Sequence, residues 1–337
     1  MTVLVTGATS GLGRNAVDFL KRQGVSVRAT GRNTVAGAAL RAQGVEFIRA
    51  DVATARTDEI DRLLAGVTTV WHCAALSSPW GRAQDFHAIN VGATERLAQA
   101  AVQNGVRRFI HISTPSLYFD YRDRIAVPET FRPARYANHY ARTKAQAEDV
   151  IKKIASRSPK TTFAMLRPRG IFGPHDAVLL PRIVRLLRER HGCLPLPRGG
   201  AALLDLTYAE NVVHAMQLAT SCEGLASGDV FNITNGEPST LRGMLDALLP
   251  ALGMAYRIVS MPYPLLDGAA RFMQMASGLS GREPLFTRYS IGVLRYDMTL
   301  DISKAESILG YHPIVSLEQA IEKTRKWIRA HGDDYGP

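Results

Sequence analysis

Residues 1–14 read MTVLVTGATSGLGR, a short apolar run that ends in glycines before the chain turns polar. TVLVT at 2–6 has the length and β-branched content of a buried strand, and the helical pattern over 14–24 closes on a glycine. VSVRAT at 25–30 supplies a second strand, so the opening is a strand, a turn, a helix and a strand. Glycines in that turn let backbone N–H groups approach a pyrophosphate and set the anion at the positive end of the helix. The spacing is Gly7-x-x-x-Gly11-x-Gly13, with Thr9, Ser10 and Leu12 in the turn. Its place between strand and helix makes it a dinucleotide-binding turn, with Gly7, Gly11 and Gly13 expected to wrap the pyrophosphate and Ser10 free to offer its N–H or hydroxyl.

The alternation continues. Strands are expected at 45–52, 68–75 and 107–114, with helices at 57–65 and 85–104 between them. A long helix starts near 136–140 and runs to about 156, and 162–174 holds another strand. Short apolar strands alternating with helices predict an α/β fold, a Rossmann-type doubly wound parallel sheet covered on both faces. Past 175 the regularity weakens around Pro181, Pro195, Pro197, Gly199 and Gly200; a strand at 230–234 and helices at 240–253 and 316–331 follow. The expected division is a nucleotide-binding domain at 1–174, joined by a strand and helix from about 203–222. Residues 175–337 then mainly form a smaller mixed α/β C-terminal substrate lobe at the sheet's carboxyl edge, where open α/β sheets bind ligands.

With 337 residues, 46% of them hydrophobic, the chain can bury a large core. Asp267 and Arg271 interrupt the apolar stretch at 265–279, so no run reaches the roughly 18 apolar residues that a bilayer requires. The first strand begins too early to leave room for a secretion leader, and Cys73, Cys193 and Cys222 are scattered without metal-ligand spacing. A cytoplasmic protein without a bound metal is expected. The net charge of +11 is spread along the chain without an aromatic-interleaved basic patch. It points to an anionic small-molecule substrate, leaves peripheral contact with a membrane surface open, and speaks against nucleic acid.

Two constellations carry chemistry. The second strand ends at Gly31 and Arg32, where NAD-preferring sites carry an acid for the ribose hydroxyls. Gly31 leaves space for a 2′-phosphate and Arg32 offers it a bidentate fork, so NADP(H) is favoured over NAD(H). Tyr140 and Lys144 stand four apart on one predicted helix and share a face. An ammonium there would lower the phenol's pKa from ~10 toward a range useful for proton transfer. The HISTPS stretch at 111–116 puts hydroxyls at the end of the fifth strand, where one of them could hydrogen-bond a substrate carbonyl and polarise it.

Together VTGATSGLG, Ala50-Asp51-Val52, HCAAL, NVGAT at 90–94, HISTPS, YARTK and LRPRGIFGP resemble an extended short-chain dehydrogenase/reductase of the NAD(P)-dependent epimerase/dehydratase superfamily. Within it the chain is similar to the 3β-hydroxysteroid dehydrogenase-like group, which includes a bacterial 2-alkyl-3-keto acid reductase. The resemblance implies that Tyr140 is the general acid and base, that Lys144 holds the nicotinamide ribose, and that Thr114 is the catalytic hydroxyl. It sets Asp51 and Val52 at the adenine, Ala74 and Ala75 at the cofactor's middle, Pro168 on the carboxamide side, and Asn90 in a structural role. It also implies a homodimer through helices that include the one bearing Tyr140. Ser10 and Gly11 depart from the pattern, as do His175, where glycine is usual, and Arg169, where nucleotide-sugar epimerases carry Asn.

The reaction that follows is reversible reduction of a ketone to a secondary alcohol on an apolar substrate: a β-keto acid, a steroid-like molecule, or an aromatic or acyl compound. The alternative is an epimerase or dehydratase that retains its NAD. The Met- and aromatic-rich stretch from Met261 through 275 could line a pocket, form a lid or pack on the core. Arg182, Arg185 and Arg188 recur on one helix and either meet an anionic substrate or face solvent.

Overall fold

The computed structural model describes residues 1–176, 178–280 and 283–331. Seven strands form its centre: β1 (Thr2–Thr6), β2 (Ser26–Gly31), β3 (Glu46–Arg49), β4 (Thr69–His72), β5 (Arg108–Ile112), β6 (Thr162–Pro168) and β7 (Asp229–Ile233). They lie in the order β7-β6-β5-β4-β1-β2-β3, every neighbouring pair parallel. The order reverses between β1 and β4, the switch point at which a doubly wound sheet opens a crevice.

Alternation along each strand explains the two layers of helices. Trp71 and Ile110 face a core shared with α1 (Gly11–Arg22) and α7 (Ala209–Ser221), through Val17, Leu20, Val213 and Met216. Their neighbours Val70 and Phe109 face the opposite core, shared with α3 (Thr57–Leu64), α4 (Ala93–Gln103) and α5 (His139–Ala155). Between α1 and α3, α2 (Thr34–Ala42) lies over β3, Gly37 admitting the Phe47 ring so closely that an added Cβ would lie 2.2 Å from it.

A smaller assembly sits at the carboxyl ends of the strands. It holds α6 (Leu179–Glu189), α8 (Leu241–Leu248), α9 (Tyr263–Ser280), α10 (Arg288–Val293) and α11 (Leu317–His331). Leu180, Met244, Leu248 and Ile328 share one of its cores. The chain trades segments between the two parts. Arg124–Val127, from the first half, pairs with Met298–Leu300 in the small mixed sheet. The strand expected at 230–234 within the second lobe is β7, the edge strand of the large sheet, registered Asp229 to Ala164 and Ile233 to Pro168. Its apolar side chains Val230, Phe231 and Ile233 are buried in the large sheet's two cores.

Candidate active site

The glycine turn is shaped by backbone needs. Gly7 (φ +67°) and Gly11 (φ +52°) adopt the left-handed region that favours glycine. At Gly13 an added Cβ would fall 2.2 Å from the Gly7 carbonyl oxygen, so only glycine lets α1 close onto the end of β1. The first turn of α1 carries no acid, and its N-cap Ser10 makes no side-chain cap hydrogen bond. The N–H groups of Leu12 and Gly13 have no intrahelical partner and both residues line the cavity above, which is the donor set that a pyrophosphate needs. Gly11 differs from expectation. Its N–H donates to the His175 carbonyl at 2.9 Å, so that donor is already taken within the protein. His175 itself has φ +60°, the conformation that explains why glycine is usual there. Its ring is held by Asp18 at 3.3 Å and by Trp327, ring centroids 5.4 Å apart.

From this turn one cavity of ≈ 710 Å³ runs toward the second lobe. Gly7, Thr9, Ser10, Gly11, Leu12 and Gly13 line one end; Arg32, Asp51 and Val52 line the branch at the ends of β2 and β3. Gly31 has a reason the sequence did not reveal: a Cβ there would meet the Thr9 side chain at 2.7 Å. Arg32 is 71% exposed and only 3.8 Å from Asp51, a loose pair that leaves its fork available. Ala74 and Ala75 line the middle, the Ala74 N–H donating to Thr6 Oγ1 at 3.1 Å, and Pro168 lines the cavity from the end of β6.

Tyr140 enters the cavity from the first turn of α5, which is capped by Asn138 accepting from the Ala141 N–H at 2.8 Å. Its hydroxyl faces the side-chain hydroxyls of Thr114 and Ser77, which favour its charged form. Thr114 Oγ1 donates to Ser116 Oγ at 3.0 Å, and the Tyr289 hydroxyl, from α10, donates to the same Ser116 oxygen at 2.7 Å. Five hydroxyls thus gather at the carboxyl end of β5, three of them joined by hydrogen bonds through Ser116. Thr114 was expected there; Ser77 and Tyr289 were not. Both come from distant segments, and neither carries a motif that would have marked it.

Lys144 corrects the sequence reading. It is 1% exposed, and its ammonium donates to the Ile112 carbonyl at 2.6 Å and contacts His111 Nε2 at 2.9 Å, away from the phenol. Burial lowers its pKa to about 7, against the opposing pull of Glu148 and Cys73. Burial raises the Tyr140 pKa above its ordinary value, and the Thr114 and Ser77 hydroxyls only temper that. The expected depression of the phenol by the lysine is therefore not the state of this structure. The helix spacing does put Tyr140, Lys144 and Glu148 in one row. Glu148 ends it in a buried pair with Arg167, at 2.7 Å to Nε and 2.5 Å to Nη2, and it also accepts from Ser113 at 2.6 Å. Ser113 is thereby structural. So is Asn90, which bonds the Leu76 backbone and Thr143.

Beyond Tyr140 the walls are apolar: Ile183 and Leu186 from α6, Met244 and Leu248 from α8, Phe286, and Val293 from α10. The stretch from Met261 through 275 contributes none of them. It forms most of α9, buries Leu266 and Ala270, and exposes Phe272 and Met275 at 73% each. Arg182 and Arg185 edge the cavity while pairing with Glu283 at 3.8 Å and Glu189 at 2.7 Å. Among the described residues no helix is long and apolar enough to cross a membrane.

The chain matches the NAD dependent epimerase/dehydratase family over residues 3–234. It is 50% identical over 334 residues to the uncharacterized protein YbjS of Escherichia coli (strain K12), covering 98% of this chain and 99% of that one. It is 31% identical over 330 residues to the 4-hydroxy-2-methyl-3-oxo-4-farnesyl-3,4-dihydroquinoline-1-oxide ketoreductase of Stigmatella aurantiaca, covering 97% and 96%. With the 2-alkyl-3-oxoalkanoate reductase of Stenotrophomonas maltophilia (strain K279a) it shares 30% identity over 350 residues, covering 96% and 98%. These matches agree with the parallel sheet and its glycine turn: the chain belongs to the NAD dependent epimerase/dehydratase family, the extended short-chain dehydrogenases/reductases, whose members act on CH–OH and C=O groups.

Proposed function

We propose that the chain is an NADP(H)-dependent ketoreductase that reversibly reduces a ketone to a secondary alcohol on an apolar substrate. The observation that carries this reading is Tyr140 lining the cavity beside Thr114 and Ser77, in the same cavity as the glycine turn and the apolar wall. The relatives' printed activities, a ketoreductase and an oxoalkanoate reductase, support it.

Leu12 and Gly13 would hold the pyrophosphate, Asp51 and Val52 the adenosine end, and the Ala74, Ala75 and Pro168 surfaces the remainder. NADP(H), when bound, supplies or accepts the hydride. The exposed Arg32 fork and the absence of an acid at Gly31 support the phosphorylated cofactor. Burial keeps the Tyr140 phenol protonated at neutral pH, the form needed to donate to a carbonyl oxygen as negative charge develops there. The Thr114 hydroxyl can hold that same oxygen. In the oxidative direction Tyr140 must give its proton up, and the Thr114 and Ser77 hydroxyls favour the charged phenolate that forms. The resemblance also supports a homodimer through α5, which light scattering of the purified protein tests.

Tyr140→Phe should remove at least 99% of NADPH-dependent ketone reduction, as general acid–base catalysis contributes ~10²–10⁴-fold, and leave NADPH binding intact by fluorescence titration. Undiminished turnover would overturn the assignment. Loss of the free cofactor's near-ultraviolet absorbance during turnover separates this reading from an epimerase that regenerates its cofactor in each cycle.

A further inference from the structure

Arg169 lines the cavity and belongs neither to the glycine turn nor to the group of hydroxyls around Tyr140. It follows Pro168 at the end of β6, and its backbone is locked. Its N–H donates to Ile233 O at 3.2 Å, its carbonyl accepts from Thr207 Oγ1 at 2.6 Å, and Gly170 beside it has φ +56°. The side chain is 8% exposed and lines the cavity. Its guanidinium makes no hydrogen bond or ion pair among the described residues, and Nε is fully buried without a partner. A guanidinium carries its charge at every physiological pH, so burying it with an unanswered Nε–H is costly unless an acceptor arrives.

Among the described residues none accepts from that Nε–H. Asp205, the carboxylate within electrostatic reach, is directed to the Leu300 N–H at 2.6 Å, and its own burial pushes its pKa up. The strand that leads into Arg169 stands apart from the one that leads into the glycine turn. β6 stands three strands from β1 in the sheet, about 14 Å at ~4.8 Å per strand. What Arg169 does neighbour is the chemistry. Tyr289 lies within electrostatic reach of both Arg169 and Tyr140, and its hydroxyl donates to Ser116.

We infer that Arg169 is the receptor for a carboxylate on the substrate, and that the ketone presented to Tyr140 belongs to a 3-oxo acid with an apolar tail. This rests on the ketoreductase reading and narrows it. In a 3-oxo acid one carbon separates the ketone carbon from the carboxylate, so the two groups can lie on either side of the Tyr289 hydroxyl. One oxygen faces Tyr140 and Thr114, the other two face the guanidinium fork, and the tail lies among Ile183, Met244 and Phe286. Anchoring the carboxylate on a locked backbone position orients the carbonyl and sets which substrates are accepted.

The test compares a stable 3-hydroxy acid, 3-hydroxydecanoate, with its methyl ester, both oxidised with NADP⁺ by wild type, Arg169→Met and Arg169→Lys. A charge-assisted hydrogen-bond pair sets the expected preference of the wild type at roughly 10- to 100-fold in kcat/KM for the acid. In Arg169→Met that ratio should fall to near one, through KM more than kcat, and Arg169→Lys should keep part of it. A wild type without preference for the acid, or a Met variant that keeps the ratio, overturns the inference. A parallel thermal-shift titration separates this from the parent reading. If the wild type oxidises neither compound, the ketoreductase reading fails. The carboxylate site then stands only if 3-hydroxydecanoate, and not its ester, raises the melting temperature of wild type and fails to do so in both Arg169 variants. Equal shifts refute it.

Discussion

Replacing Glu148 by Gln should destabilise the protein far more than any surface charge change. Glu148 and Arg167 are each 0% exposed, joined by two hydrogen bonds, with Arg132 on the same carboxylate at 2.9 Å. The substitution would leave the Arg167 guanidinium buried beside a neutral amide, and stranding one partner of a buried pair costs about 3–5 kcal/mol. Unfolding entropy of about 2.1 cal/mol/K per residue, over 337 residues, amounts to ~0.7 kcal/mol/K. The expected fall in Tm is therefore about 4–7 °C, read by calorimetry at pH 7. The double variant Glu148→Leu with Arg167→Met should recover most of the loss, because the fully buried charge leaves with its partner and only the part-exposed Arg132 loses a contact. A single-variant shift below about 2 °C, or a double variant as weak as the single, would refute the argument. A pH series adds a sign. The contacts with Arg167 outweigh burial and hold the Glu148 carboxyl below its ordinary range. Its contribution is thus complete above the unfolded value of ~4.3 and lost as pH falls through the folded one. The wild type should lose its advantage over Glu148→Gln only in that acid range.

Two further expectations follow from the cofactor turn and the lysine. Arg32→Ala should raise KM for NADPH by roughly tenfold, the worth of one exposed charge-assisted contact, with little change for NADH; equal effects on both would remove Arg32 from the 2′-phosphate. Lys144 has a folded pKa near 7 against an unfolded 10.5, so the folded protein binds fewer protons than the unfolded chain between those values. Stability relative to Lys144→Met should therefore grow as pH rises from about 7 to 9.5, by thermal melts without cofactor. A gap independent of pH would mean that the lysine does not titrate there.

The parts of this molecule written in contiguous residues were legible before any coordinates. The strand, glycines and helix at the start set one end of the cavity, and the four-residue spacing of Tyr140 and Lys144 put both on one helical face. What escaped was long-range. Ser77 and Tyr289 reach Tyr140 and Ser116 only because separate segments converge at the end of β5. The direction of the Lys144 ammonium was decided by two neighbours on that strand, Ile112 O and His111, which helix periodicity cannot weigh. The strand Asp229–Ile233 looked like part of the second lobe because the sequence around it had already lost its alternation. A buried edge strand has no local mark of the sheet it will join. Arg169 was visible only as an unusual residue after Pro168; its lack of partners is a property of the packed cavity.

β6 and β7 are immediate neighbours in the sheet, yet 60 residues of chain, 169–228, lie between them. That intervening length holds Arg169, Arg182, Arg185 and the α6 wall of the cavity, together with α7, the helix that closes the crossover. One wall of the cavity is therefore an elaboration of a single crossover, whose ends are fixed at opposite edges of one parallel pair, Pro168 beside Ile233 and Asp229 beside Ala164. Such an insertion can lengthen, shorten or change its side chains while Tyr140 and Thr114, which lie upstream of it, keep their positions. Selection or design acting on residues 174–206 could exchange one apolar substrate for another and leave the proton-transfer machinery as it stands.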